Sequence, residues 1–99
     1  MRRIFWANQA LADFDQQIGQ IAANSPKGAQ LVAERLHKAI EGLTKTASGR
    51  LGRFPGTYEK FVTKTSHVIV YVKDDSAKTI TILRIIHTSR EWLIGTLPD

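Results

Sequence analysis

The sequence contains no cysteine, so it offers neither a disulfide framework nor a thiolate metal site. This composition fits a reducing compartment, and we expect a cytoplasmic protein. Long apolar runs are also absent. No segment approaches the roughly 20 apolar residues that span a bilayer, and no apolar run of signal-peptide length precedes Asp13. We therefore expect a soluble chain without a membrane partner.

The short motifs of common enzyme sites are missing as well. The sequence has no P-loop pattern, no dinucleotide-binding glycine fingerprint and no nucleophile elbow. Its three histidines, His37, His67 and His87, lie far apart and lack metal-ligand spacing. The sequence thus predicts no metal site and no cofactor.

Acidic residues are scarce in the middle of the chain. Between Gly42 and Lys73 the only acid is Glu59, whereas six residues are basic. The charges elsewhere cancel, so the net charge of +5 comes from this stretch. Such a basic band either only solubilises the surface or attracts an anionic partner such as nucleic acid or an acidic protein segment. Its basic members are Lys45, Arg50, Arg53, Lys60, Lys64 and Lys73.

The first half of the chain predicts a strand followed by two helices. Residues 2–6 form a short apolar strand candidate. Asn8 is a candidate N-cap for the first helix, and Ser25 with Pro26 begins the second. The short connection between the helices predicts an antiparallel hairpin. Two stripes follow the helical period: Leu11, Phe14, Ile18 and Ile21 in the first helix, and Ala29, Val32, Leu36, Ile40 and Leu43 in the second.

The second half predicts a sheet. Residues 48–56 are rich in glycine and predict a loop. Residues 57–64, 67–73 and 79–87 are β-branched and aromatic, which predicts three antiparallel strands. The last of these is the most apolar and predicts a central strand. Residues 1–99 therefore form one α+β domain of order β-α-α-β-β-β, a helical hairpin on a small, mainly antiparallel sheet.

Arg84 is the unusual member of the last strand. Regular alternation would place it on one face with Ile80, Ile82 and Ile86, and would place Thr81, Leu83, Ile85 and His87 on the other. A buried guanidinium is costly unless it is paired. Two interpretations remain open. Arg84 forms an ion pair with a helix carboxylate, or it is a fixed cation on the floor of a groove that meets a phosphate or a partner's carboxylate. The candidate carboxylates are Asp13, Asp15 and Glu34.

Cleavage of RNA through its 2′-hydroxyl is one chemistry that the residues permit. It requires a base, an acid and a cation beside one phosphate. The spacing of the candidate groups does not show whether they converge. The candidates are Tyr58, Tyr71, Arg84, His87 and Arg90.

The closing segment "ILRIIHTSREW", residues 82–92, resembles the terminal signature of the RelE/ParE superfamily of bacterial type II toxins, and is most similar to the ParE branch. The signature is an aliphatic run with Arg84, then His87, two small residues, and Arg90, Glu91 and Trp92. The opening strand, both helices and "GRLGRFPGTYEKFV" fit the same pattern. The resemblance implies a toxin held inactive in a hetero-oligomer by a cognate, ParD-like antitoxin. ParE-like members poison DNA gyrase, whereas RelE-like members cut messenger RNA on the ribosome.

Two departures from the family pattern bear on function. Tyr58 stands where many members have an arginine, and the segment after Trp92 has no imidazole, phenol or amine that would serve as a late acid or base. The resemblance therefore favours a toxin that inhibits gyrase or a related topoisomerase by binding. The alternative is a RelE-like mRNA endonuclease, and a third possibility is a scaffold that has lost its toxicity.

The residues and the resemblance together predict roles for individual side chains. For target binding they are Arg53, Tyr58, Arg84, His87, Arg90 and Trp92; for antitoxin binding, Leu11, Phe14, Lys60 and Arg84; and for a nuclease, Tyr71, Arg84, His87 and Arg90.

Overall fold

The computed structural model describes residues 1–47 and 49–88, in which two helices pack on a five-stranded mixed sheet. The predicted α+β class and the helical hairpin are confirmed. The elements are β1 (Arg3–Trp6), α1 (Asn8–Asn24), α2 (Pro26–Gly42), β2 (Arg50–Leu51), β3 (Tyr58–Phe61), β4 (His67–Asp74) and β5 (Thr79–His87).

The sheet has the strand order β1-β5-β4-β3-β2. The first strand pairs with the last in parallel, from Arg3 opposite Thr79 to Trp6 opposite Ile82. All other pairs are antiparallel. β5 therefore has a neighbour on each side, as its apolar sequence predicted.

The prediction that residues 48–56 form only loop was wrong. Within this range Arg50–Leu51 forms a short edge strand, with Arg50 opposite Glu59 and Leu51 opposite Tyr58. Two residues are too short for an alternating pattern to be visible in the sequence, and the surrounding glycines hide them further.

A side-chain cap marks the start of α2 but not of α1. Ser25 caps α2 as predicted, because its Oγ accepts a 2.9 Å hydrogen bond from the Gly28 N–H and Pro26 follows directly. The prediction for Asn8 was wrong: Ala7 occupies the N-cap of α1 without a side-chain hydrogen bond, and Asn8 is already helical. Among the described residues, neither helix is long and apolar enough to cross a membrane.

The main core lies between the helices and one face of the sheet. The stripe predicted for α2 is inside it, with Leu36 and Leu43 fully buried. The stripe predicted for α1 is confirmed in part, because Phe14 and Ile18 pack against this core whereas Leu11 is 48% exposed. The most deeply buried positions of α1 are Ala10, Asp13 and Gln17, two of them polar.

A β-bulge interrupts β5. Val70 of β4 lies opposite Arg84 but Tyr71 lies opposite Ile82, so Leu83 is an extra residue without a partner in the register. An extra residue shifts every later side chain to the opposite face. The regular alternation assumed for β5 is therefore correct before Leu83 and wrong after it.

The bulge redistributes the apolar residues of β5 between two clusters. Ile85, rather than Ile86, joins Ile80 and Ile82 in the core beneath the helices. The other face of the sheet carries a smaller buried cluster of Val68, Val70 and Ile86, and Arg84 belongs to that face because it lies opposite Val70.

Candidate functional site

The edge of β5 beyond the bulge is completed by a helix. β1 ends opposite Ile82, so no described strand pairs with the β1 side of Ile85. Asp13 and Gln17, four residues apart on one face of α1, take that place. The Ile85 N–H donates to Asp13 Oδ2 at 3.0 Å, and Gln17 Nε2 donates to the Ile85 carbonyl at 2.6 Å. These two buried polar residues therefore extend the hydrogen bonding of the sheet.

Arg84 binds the same carboxylate. Its Nε donates to Asp13 Oδ2 at 2.6 Å and its Nη2 donates to Oδ1 at 3.1 Å, a bidentate arrangement. Gln9 donates a further bond to Oδ1 at 3.0 Å. Arg84 is 9% exposed and Asp13 3%. The interpretation of Arg84 as the partner of a helix carboxylate is thus confirmed, with Asp13 as that carboxylate.

Two histidines meet at the far ends of β4 and β5. His67 and His87 lie opposite each other, with ring centroids 5.3 Å apart and planes at 83°. His67 is buried and His87 half-buried. They line a small cavity of about 180 Å³, which they share with Gln17 and Ser66.

Two tyrosines stack on the helix side of the sheet. Tyr58 and Tyr71 have ring centroids 5.5 Å apart and nearly parallel planes, and Lys73 Nζ lies 4.9 Å from the Tyr58 centroid. Tyr71 is fully buried. Desolvation by burial, reinforced by neighbouring Tyr58, raises the pKa of the Tyr71 hydroxyl despite an opposing effect of Arg2. Tyr71 therefore remains protonated at neutral pH.

Arg53 lies in the loop between β2 and β3. Its backbone N–H donates to Glu59 Oε2 at 2.8 Å, and Arg50 Nε lies 3.7 Å from the other carboxylate oxygen. Glu59 is 4% exposed. The single acid of the basic band thus anchors the loop that presents Arg53.

A basic groove runs between α2 and the β3–β4 turn, with a volume of about 400 Å³. The apolar side chains of Ala39, Phe61 and Val62 contribute to its lining, and no acidic residue does. Lys60 was predicted to bind antitoxin. Two other cations of the groove, on α2, lie outside the basic band, although their spacing of three residues indicates a shared helix face. The four cations are Arg35, Lys38, Lys60 and Lys64.

A second cationic site, the basic pocket, lies at the other end of the sheet and has a volume of about 530 Å³. Its lining comes from the residues at the start of β1, at the end of α2 and around the β4–β5 turn. Sequence reasoning missed this pocket because its residues come from three distant segments. Its charged side chains are Arg2, Lys45, Lys73, Asp75 and Lys78.

The residues predicted to bind target do not share one surface within the described chain. Tyr58 lies opposite Tyr71 on the helix side, whereas Arg84 belongs to the other face. Of the antitoxin candidates, Leu11 is exposed on α1, and Phe14 packs edge-on against Trp6 at 5.9 Å. Arg90 and Trp92 lie outside the described residues. In residues 1–47 and 49–88 no group of three or more histidine or carboxylate side chains is placed to hold a metal ion.

Comparison with models of known families matches the sequence to one of them. The family model described as the ParE toxin of the type II toxin–antitoxin system parDE matches residues 4–92. The chain belongs to the ParE toxin family. The resemblance drawn from residues 82–92 is thereby confirmed, and the protein is a ParE-type toxin of a type II toxin–antitoxin system.

Solved structures with the same fold come from both branches of the superfamily. The chromosomal ParDE system from P. aeruginosa is 22% identical with a TM-score of 0.79, over 88% of this chain and 96% of that one. The isolated E. coli RelE toxin is 14% identical with a TM-score of 0.67, over 96% and 93%. The intact E. coli RelBE complex is 15% identical with a TM-score of 0.63, over 86% and 94%. At these identities the similarity establishes the fold. No curated protein matches the sequence significantly.

Proposed function

We propose that this ParE family toxin arrests growth in the cytoplasm by binding DNA gyrase or a related type II topoisomerase. A cognate, ParD-like antitoxin neutralises it by forming a hetero-oligomer. The toxin acts through its surface and performs no covalent chemistry on its target. Membership of the ParE family supports this proposal.

The observation that carries the proposal is the separation of the groups that RNA cleavage would use. Tyr71 is fully buried with a raised pKa, so its hydroxyl is a poor base that no scissile phosphate reaches. Arg84 holds Asp13 in a bidentate ion pair. His87 lies at the far end of β5 beside His67. Among the described residues, these groups do not surround a common phosphate position.

The basic groove supports an acidic antitoxin segment as the neutralising partner. Its four cations line the same groove as the apolar side chains of Ala39, Phe61 and Val62. An amphipathic segment would therefore bury its apolar side there and present carboxylates to the cations. Leu11 and Leu31 are 48% and 42% exposed on the helices and offer further apolar contact. Lys60 keeps the antitoxin role predicted for it.

Two assays run on the same purified toxin test the target. We expect the toxin to inhibit gyrase supercoiling and to leave messenger RNA intact on programmed ribosomes. Toxin saturated with antitoxin is the control and should leave supercoiling unaffected. Cleavage of the messenger with normal supercoiling would identify a RelE-like nuclease instead. Inactivity in both assays, with growth unimpaired in cells expressing the toxin alone, would identify an inert scaffold.

A pair of charge reversals on α2 tests the antitoxin groove. Lys38 lines the groove, whereas Lys27 lies in the first turn of the same helix and is exposed away from it. We expect Lys38→Glu to weaken antitoxin binding by about tenfold, mainly through slower association, because it removes an attraction and adds a repulsion. Lys27→Glu changes the net charge equally and should have little effect. Equal losses in both variants would show a response to net charge alone and would remove the groove from the proposal.

A further inference from the structure

The basic pocket concentrates positive charge with little compensation. Its one acid, Asp75, lies 3.8 Å from Arg2 Nη2 and 3.8 Å from Lys73 Nζ, and its side chain is 68% exposed. Pairs of this length with an exposed carboxylate contribute little stabilisation, and one carboxylate offsets the charge of one of the four cations. The other two cations, Lys45 and Lys78, form no ion pair with any described residue. The pocket therefore retains an excess of cations that repel one another until an anion binds.

Backbone hydrogen bonds fix the walls of the pocket. The Arg2 N–H donates to the Thr44 carbonyl at 2.9 Å, which joins the start of β1 to the end of α2. The Arg3 N–H donates to the Lys78 carbonyl at 2.9 Å, which joins β1 to the β4–β5 turn. The three segments that carry the cations are thus locked together before any ligand arrives, which lowers the entropy cost of binding.

The conformation of Lys78 adds a second observation. Its φ is +56°, in the left-handed region that glycine or asparagine would occupy with less strain. The turn nevertheless carries a lysine there, and that lysine lines the pocket. Local backbone preference therefore does not explain the lysine at this position, whose charge adds to that of the pocket.

We infer that the basic pocket binds the phosphate groups of a nucleic acid backbone or of a free polyphosphate. Three of its four cations are lysines, whose ammonium groups act as point charges suited to phosphates. Met1 is the one apolar side chain in its lining, whereas a protein-docking site needs an apolar centre. A volume of about 530 Å³ accommodates several phosphates at once. This site lies at the opposite end of β5 from His87 and does not depend on the proposed gyrase target.

Direct binding measurements on the purified toxin test this inference. The probes are inorganic pyrophosphate, a single-stranded DNA oligonucleotide and a polyglutamate peptide, each titrated by calorimetry at several salt concentrations. We expect both phosphate probes to bind, and Lys78→Gln or Lys45→Gln to weaken each of them several-fold. Each substitution should also lower the salt slope of oligonucleotide binding by about one phosphate contact. Lys27→Gln is the control, since it removes the same charge elsewhere and should retain wild-type affinity.

The outcomes separate the ligand sources from the alternatives. Tighter binding of the oligonucleotide than of pyrophosphate identifies a nucleic acid backbone, and the reverse identifies a free polyphosphate. Binding of polyglutamate in preference to both would overturn the inference in favour of an acidic protein. Failure of both phosphate probes to bind, or equal losses in Lys27→Gln and Lys78→Gln at unchanged melting temperature, would also overturn it. None of these results depends on whether the toxin inhibits gyrase.

Discussion

At the scale of single residues, Asp13 accepts hydrogen bonds from several parts of the fold at once. Its carboxylate receives two bonds from Arg84, one from Gln9 and one from the backbone of Ile85. A carboxylate this deeply buried is tolerated only because each of these donors compensates its desolvation. The ion pair therefore joins a helix to a strand that is 71 positions away in the sequence.

Breaking this pair should destabilise the fold strongly. Arg84→Ala leaves a buried carboxylate without its counter-ion and should lower the free energy of unfolding by about 3–5 kcal/mol. Arg84→Lys keeps the charge but loses the bidentate fork, so its loss should be smaller. Urea unfolding measures both changes, and the Arg84→Ala, Asp13→Ala double variant should lose less than the sum of the single variants. Strict additivity would show that the two side chains do not interact. Asp15→Ala, at an exposed position on α1, is the matched control.

The buried phenol of Tyr71 should control stability at alkaline pH. Its pKa lies above the ordinary value of 10.0 in the folded protein, so the unfolded chain ionises first as the pH rises. The contribution of the protonated Tyr71 hydroxyl to the free energy of unfolding is complete below pH 10. It is lost progressively above pH 10, as the pH approaches the raised pKa of the folded protein. Tyr71→Phe retains the ring and removes the ionisation, so its melting temperature should fall less steeply between about pH 9 and 12 than that of the wild type. An equal fall of the melting temperature with pH in the two proteins would show that Tyr71 does not control stability at alkaline pH.

At the scale of secondary structure elements, α1 has two structural roles. It packs against the sheet through Ala10 and Phe14, and it supplies Asp13 and Gln17 to the edge of β5. The second role explains why the buried face of this helix contains polar residues. It also explains why the hydrophobic stripe predicted for α1, of which Phe14 and Ile18 pack against the core, did not include the buried Asp13 and Gln17.

Removing the helical support of β5 should loosen the strand. Gln17→Ala leaves the Ile85 carbonyl buried without the donor at 2.6 Å, which should cost about 1–3 kcal/mol. Amide exchange in residues 83–87 should accelerate more than exchange in the β4 core. Gln16→Ala, one position away on the exposed side of α1, should change neither quantity. Uniform acceleration across the sheet would show global destabilisation rather than a local role.

The elements that sequence patterns predicted are those with a strong apolar signal. The limits of α2, β4 and β5 were predicted closely, because apolar residues recur at the helical spacing in α2 and fill most of β4 and β5. β2 was missed because two residues carry no period, and the faces of β5 were exchanged after Leu83 because a bulge leaves no mark in composition. Asp13 was a candidate partner for Arg84 on charge alone. The choice among three carboxylates required the packing of α1 on the sheet, which depends on tertiary structure.

At the scale of the whole molecule, the charge is divided between two sites. The basic groove and the basic pocket lie at different ends of the sheet, and each has its own set of cations. Lysines occupy both left-handed, non-glycine positions of the described chain, Lys64 in the groove and Lys78 in the pocket. The net charge of +5 is therefore organised rather than spread evenly.

This charge should control the rate at which the antitoxin associates with the toxin. We expect the association rate constant of toxin and antitoxin to fall steeply as ionic strength rises, because screening shortens the reach of the groove's cations. The dissociation rate should change much less, since apolar contacts at Phe61 and Val62 are insensitive to screening. Stopped-flow measurements between about 0.05 and 0.5 M salt test this, as the Debye length falls below 10 Å across that range. An association rate independent of salt would contradict electrostatic steering.

The parallel pairing of β1 with β5 also sets the order in which the molecule can assemble. Arg3 finds its partner only when Thr79 has been synthesised, and the Asp13–Arg84 contact closes later still. Closing such long loops is slow because chain entropy is lost before the contacts form. The helical hairpin is local and can form while translation continues, whereas the sheet cannot be completed until the last strand is available. A nascent chain that stops before β5 therefore lacks the strand that joins β1 to β4 and carries the partner of Asp13, so interrupted synthesis yields no folded toxin.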